Sequence, residues 1–76
     1  MKLYEAIEDC FKTKATYASK NDIVSIEISC FDNNGVFIEC NSEEWGYGFS
    51  IFEGTDYKKF HKERLDEIKD FEFLKI

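Results

Sequence analysis

Glu27 and Glu39 are the two carboxylates in this chain best placed to act together. Both sit at polar positions of alternating segments, and both belong to the solvent side of the sheet those segments imply. Two neighbouring acids can share a proton and divide the roles of acid and base. Their surroundings argue against that use, because Ser25, Ser29, Gly48 and Ser50 line the same face and build no concave pocket. His61 is the only histidine. It could serve as base to a cysteine, but no third group orients it, and its spacing from Tyr57 and Leu65 fits packing.

Cys10, Cys30 and Cys40 are odd in number, contain no Cys-x-x-Cys pair and fall at apolar positions. They read as small buried hydrophobes of a reducing compartment, too few and too spread for zinc. Asp32-Asn33-Asn34-Gly35 has the glycine of a calcium loop. However, Cys30 and Asn41 stand where its first and last acids belong. Gly46-Tyr47-Gly48 precedes no helix and is no phosphate loop. The expectation is a protein that is not an enzyme, with no metal and no cofactor.

The elements that must position these residues run from Ile23 to Glu53. Val24, Ile26, Ile28 and Cys30 alternate with Ser25, Glu27 and Ser29, the period-two pattern of a half-buried strand. Val36, Ile38 and Cys40 repeat it around Phe37 and Glu39. Asp32-Asn33-Asn34-Gly35 between them is a hairpin signal. A three-residue loop, Asn33-Asn34-Gly35, pairs Cys30 with Ile38 and Ile28 with Cys40, so that apolar meets apolar, with Gly35 left-handed. The third strand is Gly46 to Phe52. Ser42-Glu43-Glu44-Trp45 forms a four-residue loop that sets Tyr47, Phe49 and Ile51 beside Cys40, Ile38 and Val36. On the other face this arrangement gathers Phe31, Phe37 and Phe52 at one end.

A helix from Lys2 to about Lys14 precedes the sheet, with Leu3, Ala6, Ile7 and Cys10 on its apolar stripe. The helix end is not sharply marked: Ala15 to Ala18 fit an extension, with Tyr17 keeping the stripe, and Lys20-Asn21-Asp22 reads as a linker. A second helix follows Thr55 or Asp56, with Tyr57, Phe60, His61, Arg64, Leu65 and Ile68 on one face. Phe71-Glu72-Phe73-Leu74-Lys75-Ile76 fits a short C-terminal strand or a fraying helix end, and the alternation of Phe71 and Phe73 favours the extended form. The expected fold is α+β: a three-stranded antiparallel meander with two helices packed on one face, as a single small domain, 1–76. The helix–three-strand–helix order resembles a double-stranded-RNA-binding domain in outline. The second helix lacks the clustered lysine start of such domains beyond Lys58-Lys59, so no activity is carried over.

The chain has 76 residues, 43% hydrophobic and 17% aromatic, enough for a folded domain and unlike a disordered tail. A chain this short buries only about 60% of its unfolded surface. Neither a signal peptide nor a membrane span is recognisable, so a soluble cytoplasmic protein with no membrane partner is expected.

Charge carries the functional expectation. The formal net charge is -6, yet residues 21–56 hold eight acids (Asp22, Glu27, Asp32, Glu39, Glu43, Glu44, Glu53, Asp56) and no Lys, Arg or His. Direct nucleic-acid binding is disfavoured, because phosphate contacts need basic side chains. A negative surface suits a basic protein partner, whose approach it steers. The kinds of protein this points to are nucleic-acid mimics that inhibit nucleases, such as phage anti-CRISPR or anti-restriction proteins. The alternatives are nuclease-toxin immunity proteins or an oligomerising subunit. The partner-binding candidates are Glu27, Asp32, Glu39, Glu43, Glu44 and Glu53, with Trp45, Phe31, Phe37 and Phe52 as apolar anchors. Three covers fit the phenylalanine patch, in falling order of preference: the tail Phe71–Phe73, a second copy in a homodimer, or a foreign partner.

Overall fold

A computed structural model describes residues 1–76. The element order is α1 (Leu3–Thr13), β1 (Tyr17–Lys20), β2 (Ser25–Asp32), β3 (Gly35–Asn41), β4 (Gly46–Phe52), α2 (Tyr57–Phe60), α3 (Lys62–Ile68) and β5 (Leu74–Lys75). The class is α+β as expected, but the sheet has five strands, in the order β4-β3-β2-β1-β5, with every pairing antiparallel. The added strands flank the meander on one side and also depart from the double-stranded-RNA-binding outline. No helix is long and apolar enough to cross a membrane.

Helix α1 starts where Glu5 reaches back to accept the Lys2 N–H (3.1 Å). It stops at Lys14, whose left-handed backbone (φ 62°) lets its N–H donate to the Cys10 carbonyl (2.9 Å). The expected helical extension through Ala15–Ala18 is overturned, since this stretch turns into β1. Both readings bury Tyr17; four residues are too few for periodicity to separate helix from strand. Strand pairing decides it, with Tyr17 opposite Ile28 and Ser19 opposite Ile26. The expected linker is a β1–β2 turn. Asn21 Oδ1 accepts the N–H groups of Ile23 and Val24 (both 2.8 Å), so β2 begins at Ser25 and Ile23 is left 75% exposed.

The β2–β3 register differs from the expectation by two residues. Cys30 pairs with Val36, Ile28 with Ile38 and Ile26 with Cys40, while Asp32 pairs with Gly35 across a bulge at Phe31. A two-residue slip keeps each side chain on its own face, so the apolar pattern fits both registers equally well. The bulge makes up the difference, and it leaves Asp32 exposed opposite Gly35. Gly35 is not left-handed; the positive-φ glycine is Gly54 (φ 86°). Gly35 is required for space instead, because a Cβ there would lie 2.6 Å from Phe31 Cε1. The β3–β4 register agrees with the expected four-residue loop: Cys40 faces Tyr47, Ile38 faces Phe49 and Val36 faces Ile51.

The core lies between one sheet face and the helices. Leu3, Ala6, Ile7, Cys10 and Phe11 of α1 pack with Ile26, Ile28, Val36, Ile38, Cys40 and Ile51 of the sheet and with Tyr57, Leu65, Ile68 and Phe73. The second helical stretch breaks at His61 (φ -113°, ψ 28°), which divides α2 from α3. The break puts Phe60 at 76% exposure, off the buried face on which an unbroken helix would have placed it. Tyr57 Oη donates to Glu8 Oε2 (2.7 Å), tying α2 to α1.

Candidate partner-binding surface

The central feature of the open face is a like-charged pair. Glu27 of β2 stands directly opposite Glu39 of β3, and both are exposed. Opposed residues in an antiparallel pair hold their Cβ atoms about 5 Å apart, and like charges in that position destabilise the sheet. No cation makes an ion pair with either. The three ion pairs are Met1–Glu72, Lys2–Glu72 and Lys62–Asp66, so all eight acids of residues 21–56 are unpaired. Around the pair the face is small and polar: Ser25, Ser29, Asn41, Gly48 and Ser50 share it.

The face is not free of cations at its rim. Strand β1 sets Ala18 opposite Glu27 and Lys20 opposite Ser25, so Lys20 stands diagonal to Glu27. This placement departs from the expectation, in which Ala15–Ala18 fit a helical extension and Lys20 opens a linker. Tyr17-Ala18-Ser19-Lys20 carries no clean alternation of size or polarity, so no local signal shows this strand.

The structure divides the anchor candidates. Phe31 and Phe52 meet edge-on, ring centroids 5.6 Å apart, at the β2–β3 hairpin end. Phe37 does not join them. It pairs with Ser50 and lays its ring over Gly48, where a Cβ would lie 2.3 Å from Phe37 Cζ. The expected cluster of three is thus one pair and one separate ring. The physical reason is the register: Phe37 lies opposite Ser29 instead of Phe31. Nor does the tail cover the patch. Phe73 is buried on the helix side, and β5 lies at the far edge of the sheet from β4.

The acids also divide. Asp32 flanks the Phe31–Phe52 pair, its Oδ1 accepting the Asn33 N–H (2.7 Å). Glu53, at the same end, belongs to the helix side and shares a groove with Glu8 and Tyr57. Glu43, Glu44 and Trp45 lie at the opposite end of β4, about 20 Å away along a seven-residue strand. There Ser42 Oγ accepts the N–H groups of Glu44 (3.3 Å) and Trp45 (3.2 Å) and holds the loop. Trp45 is 48% exposed and stacks on Tyr47 (5.5 Å, 17°), which places it on the helix side, away from Glu39.

That stack is one the sequence reading passed over. Trp45, Tyr47 and Phe49 form a ladder along β4, with Tyr47 and Phe49 stacked at 6.2 Å. Arg64 of α3 lies over the Tyr47 ring (4.2 Å), and His61 packs on Phe49 (4.6 Å). The i, i+2 aromatic spacing was legible, but the cationic cover depends on how α3 crosses the sheet. Burial, then the neighbouring Cys40 thiol, pushes the Tyr47 hydroxyl up to about 12. Cys10 and Cys40 are buried, and burial raises both thiols. No cluster of three or more metal-ligating side chains is present.

In comparison with known proteins, the chain matches no family model, no curated protein and no solved structure.

Proposed function

We propose that this chain is a small acidic protein-binding module, an inhibitor or antagonist that docks the open face of its sheet on a basic, nucleic-acid-handling protein. The observation that carries the reading is the Glu27–Glu39 pair. Selection for stability alone removes like charges set opposite each other in the middle of a sheet. Retaining them makes sense where a cationic surface supplies the missing counter-charge. Asp32 extends the negative surface towards the hairpin end, and the Phe31–Phe52 pair beside it offers an apolar anchor. A nucleic-acid mimic of the anti-CRISPR or anti-restriction kind and a nuclease-toxin immunity protein both satisfy this chemistry.

The test is capture of partners from the native host on immobilised wild-type chain and on an E27Q/E39Q double variant, each eluted with rising salt. A basic partner that leaves wild type at higher salt than the variant supports the reading. Retention unchanged by salt and by the double substitution would overturn it.

A further inference from the structure

The outer edge of β4 is open, and its backbone shows which groups are unused. At one end the Ser42 N–H donates to the Trp45 carbonyl (2.8 Å); at the other the Glu53 N–H donates to the Asn34 carbonyl (2.9 Å). Bonding alternates along an antiparallel pair, so Tyr47, Phe49 and Ile51 also bond to β3. Gly46, Gly48, Ser50 and Phe52 therefore turn their N–H and C=O groups outward. Only the Phe52 carbonyl has another partner, accepting from the Thr55 N–H (3.3 Å) and Oγ1 (2.6 Å). No side chain hydrogen-bonds to the outward groups of Gly46, Gly48 or Ser50. Gly46–Phe52 contains no charge and no proline, the devices that normally stop an edge from pairing.

We infer that β4 pairs antiparallel with β4 of a second copy, joining two five-stranded sheets into one. The full overlap of the strand puts Phe49 on the two-fold axis, with Gly48 opposite Ser50 and Gly46 opposite Phe52 of the other copy. About six backbone hydrogen bonds become available in that register, since Thr55 already engages the Phe52 carbonyl of each copy. Charge selects a second copy over a foreign cationic strand. Arg64 already lies on the helix side of this edge, over Tyr47, and would repel a basic segment. The two-fold instead sets Tyr47, with Arg64 above it, opposite Ile51 of the other copy. Glu53 of that copy follows on the same side, two residues along. The contact occurs twice, once on each side of the axis. A two-fold perpendicular to the sheet keeps both open faces on one side, so two Glu27–Glu39 pairs would share one surface. The inference does not depend on the proposed partner, because it uses the strand's edge and leaves the open face free.

The experiment is sedimentation or light scattering of the full chain from about 1 µM to about 1 mM, with fluorescence of Trp45, the single tryptophan, as a second readout. Wild type should shift from 9.0 kDa to twice that mass. Ser50→Pro removes an outward N–H without touching a bond to β3, and should raise the dissociation constant at least about 30-fold. Arg64→Glu should weaken the dimer about tenfold, and adding Glu53→Arg should restore it. Circular dichroism confirms that each variant is folded; if Ser50→Pro is not, Ser50→Lys takes its place. A wild type that stays at 9.0 kDa throughout overturns the inference. So does a dimer that survives the Ser50 substitution, or a tight complex of this edge with a basic peptide that excludes the second copy.

Discussion

The two edges of the sheet are built in opposite ways. At the β5 edge the outermost strand is two residues long, Leu74–Lys75, and ends in a lysine. It is held by the Phe73 N–H donating to the Met1 carbonyl (2.7 Å), by the Ile76 N–H donating to the Thr16 carbonyl (2.9 Å), and by the Phe73 ring in the core. At the β4 edge a seven-residue uncharged strand ends the sheet, with Thr55 engaging only the Phe52 carbonyl and no hydrogen bond to the outward groups of Gly46, Gly48 and Ser50. Short, charged strands protect an edge, whereas long neutral ones recruit another strand. One edge is closed by the chain's own tail, and the other is left for something else.

The largest expected effect comes from undoing the closed edge. Phe73→Ala should cost about 3–5 kcal/mol, because it empties a fully buried site that also anchors β5. A domain of this size has about 4–11 kcal/mol in total, so urea unfolding should show most of the stability gone. A loss under about 1 kcal/mol would mean that the tail is not part of the core.

A gentler cut sharpens the contrast. Ending the chain after Phe73 keeps the anchor but removes β5, exposing β1 as a second edge. Stability should fall by about 1–2 kcal/mol, and association should become open-ended instead of stopping at two copies. Sedimentation that still shows a single closed species would count against the protective role given to β5.

Alkaline pH should act next. The Tyr17 hydroxyl, which donates to the Asp9 carboxylate and is buried, is raised from 10.0 to about 12, as is Tyr47 on the β4 side. Burial and Glu8 raise Tyr57 as well. The folded state holds these protons more tightly than the unfolded chain. Their contribution is therefore whole below pH 10 and drains as pH climbs towards 12. Thermal melts should fall across that window, and Tyr17→Phe should flatten the fall. At the acid end, the hydrogen bond from Tyr17 lowers Asp9, so that contribution is present above the ordinary carboxylate value of 3.8 and lost below it.

The smallest effect tests the open face between the edges. Glu39→Lys replaces a repulsion with an attraction to Glu27 and should stabilise by about 0.5 kcal/mol, read by urea unfolding. The same change should weaken capture of the basic partner. A gain in stability with full binding would leave the charge reading without support.

Much of this fold was legible in the residues. Alternation at Ile26–Cys30, Val36–Cys40 and Tyr47–Ile51 reports which face is buried, because side chains alternate along any strand whatever its neighbour. The helical stripe Leu3–Ala6–Ile7–Cys10 and the loop Ser42–Trp45 were read on the same footing. Tyr17–Lys20 was not, since so short a strand exists only through the pairing that completes it, whereas the extended tail was legible in the Phe71–Phe73 alternation and β5 agrees with the short C-terminal strand it allows. At the candidate surface, Glu27 and Glu39 were found by type and face, but their direct opposition was not.

The amino-acid pattern alone determined the α+β class, the buried face and the absence of any base between residues 21 and 56. These are properties of periodicity and composition, which need no partner to be read. Tertiary structure alone decided the register that opposes the two glutamates, the arrival of Lys20 beside them, the break that frees Phe60, and which strand was left at the edge. Each of those is a pairing between distant segments. Hydrogen bonds and the volume of single rings, such as Phe31 over Gly35, choose among alignments that hydrophobic alternation leaves equivalent.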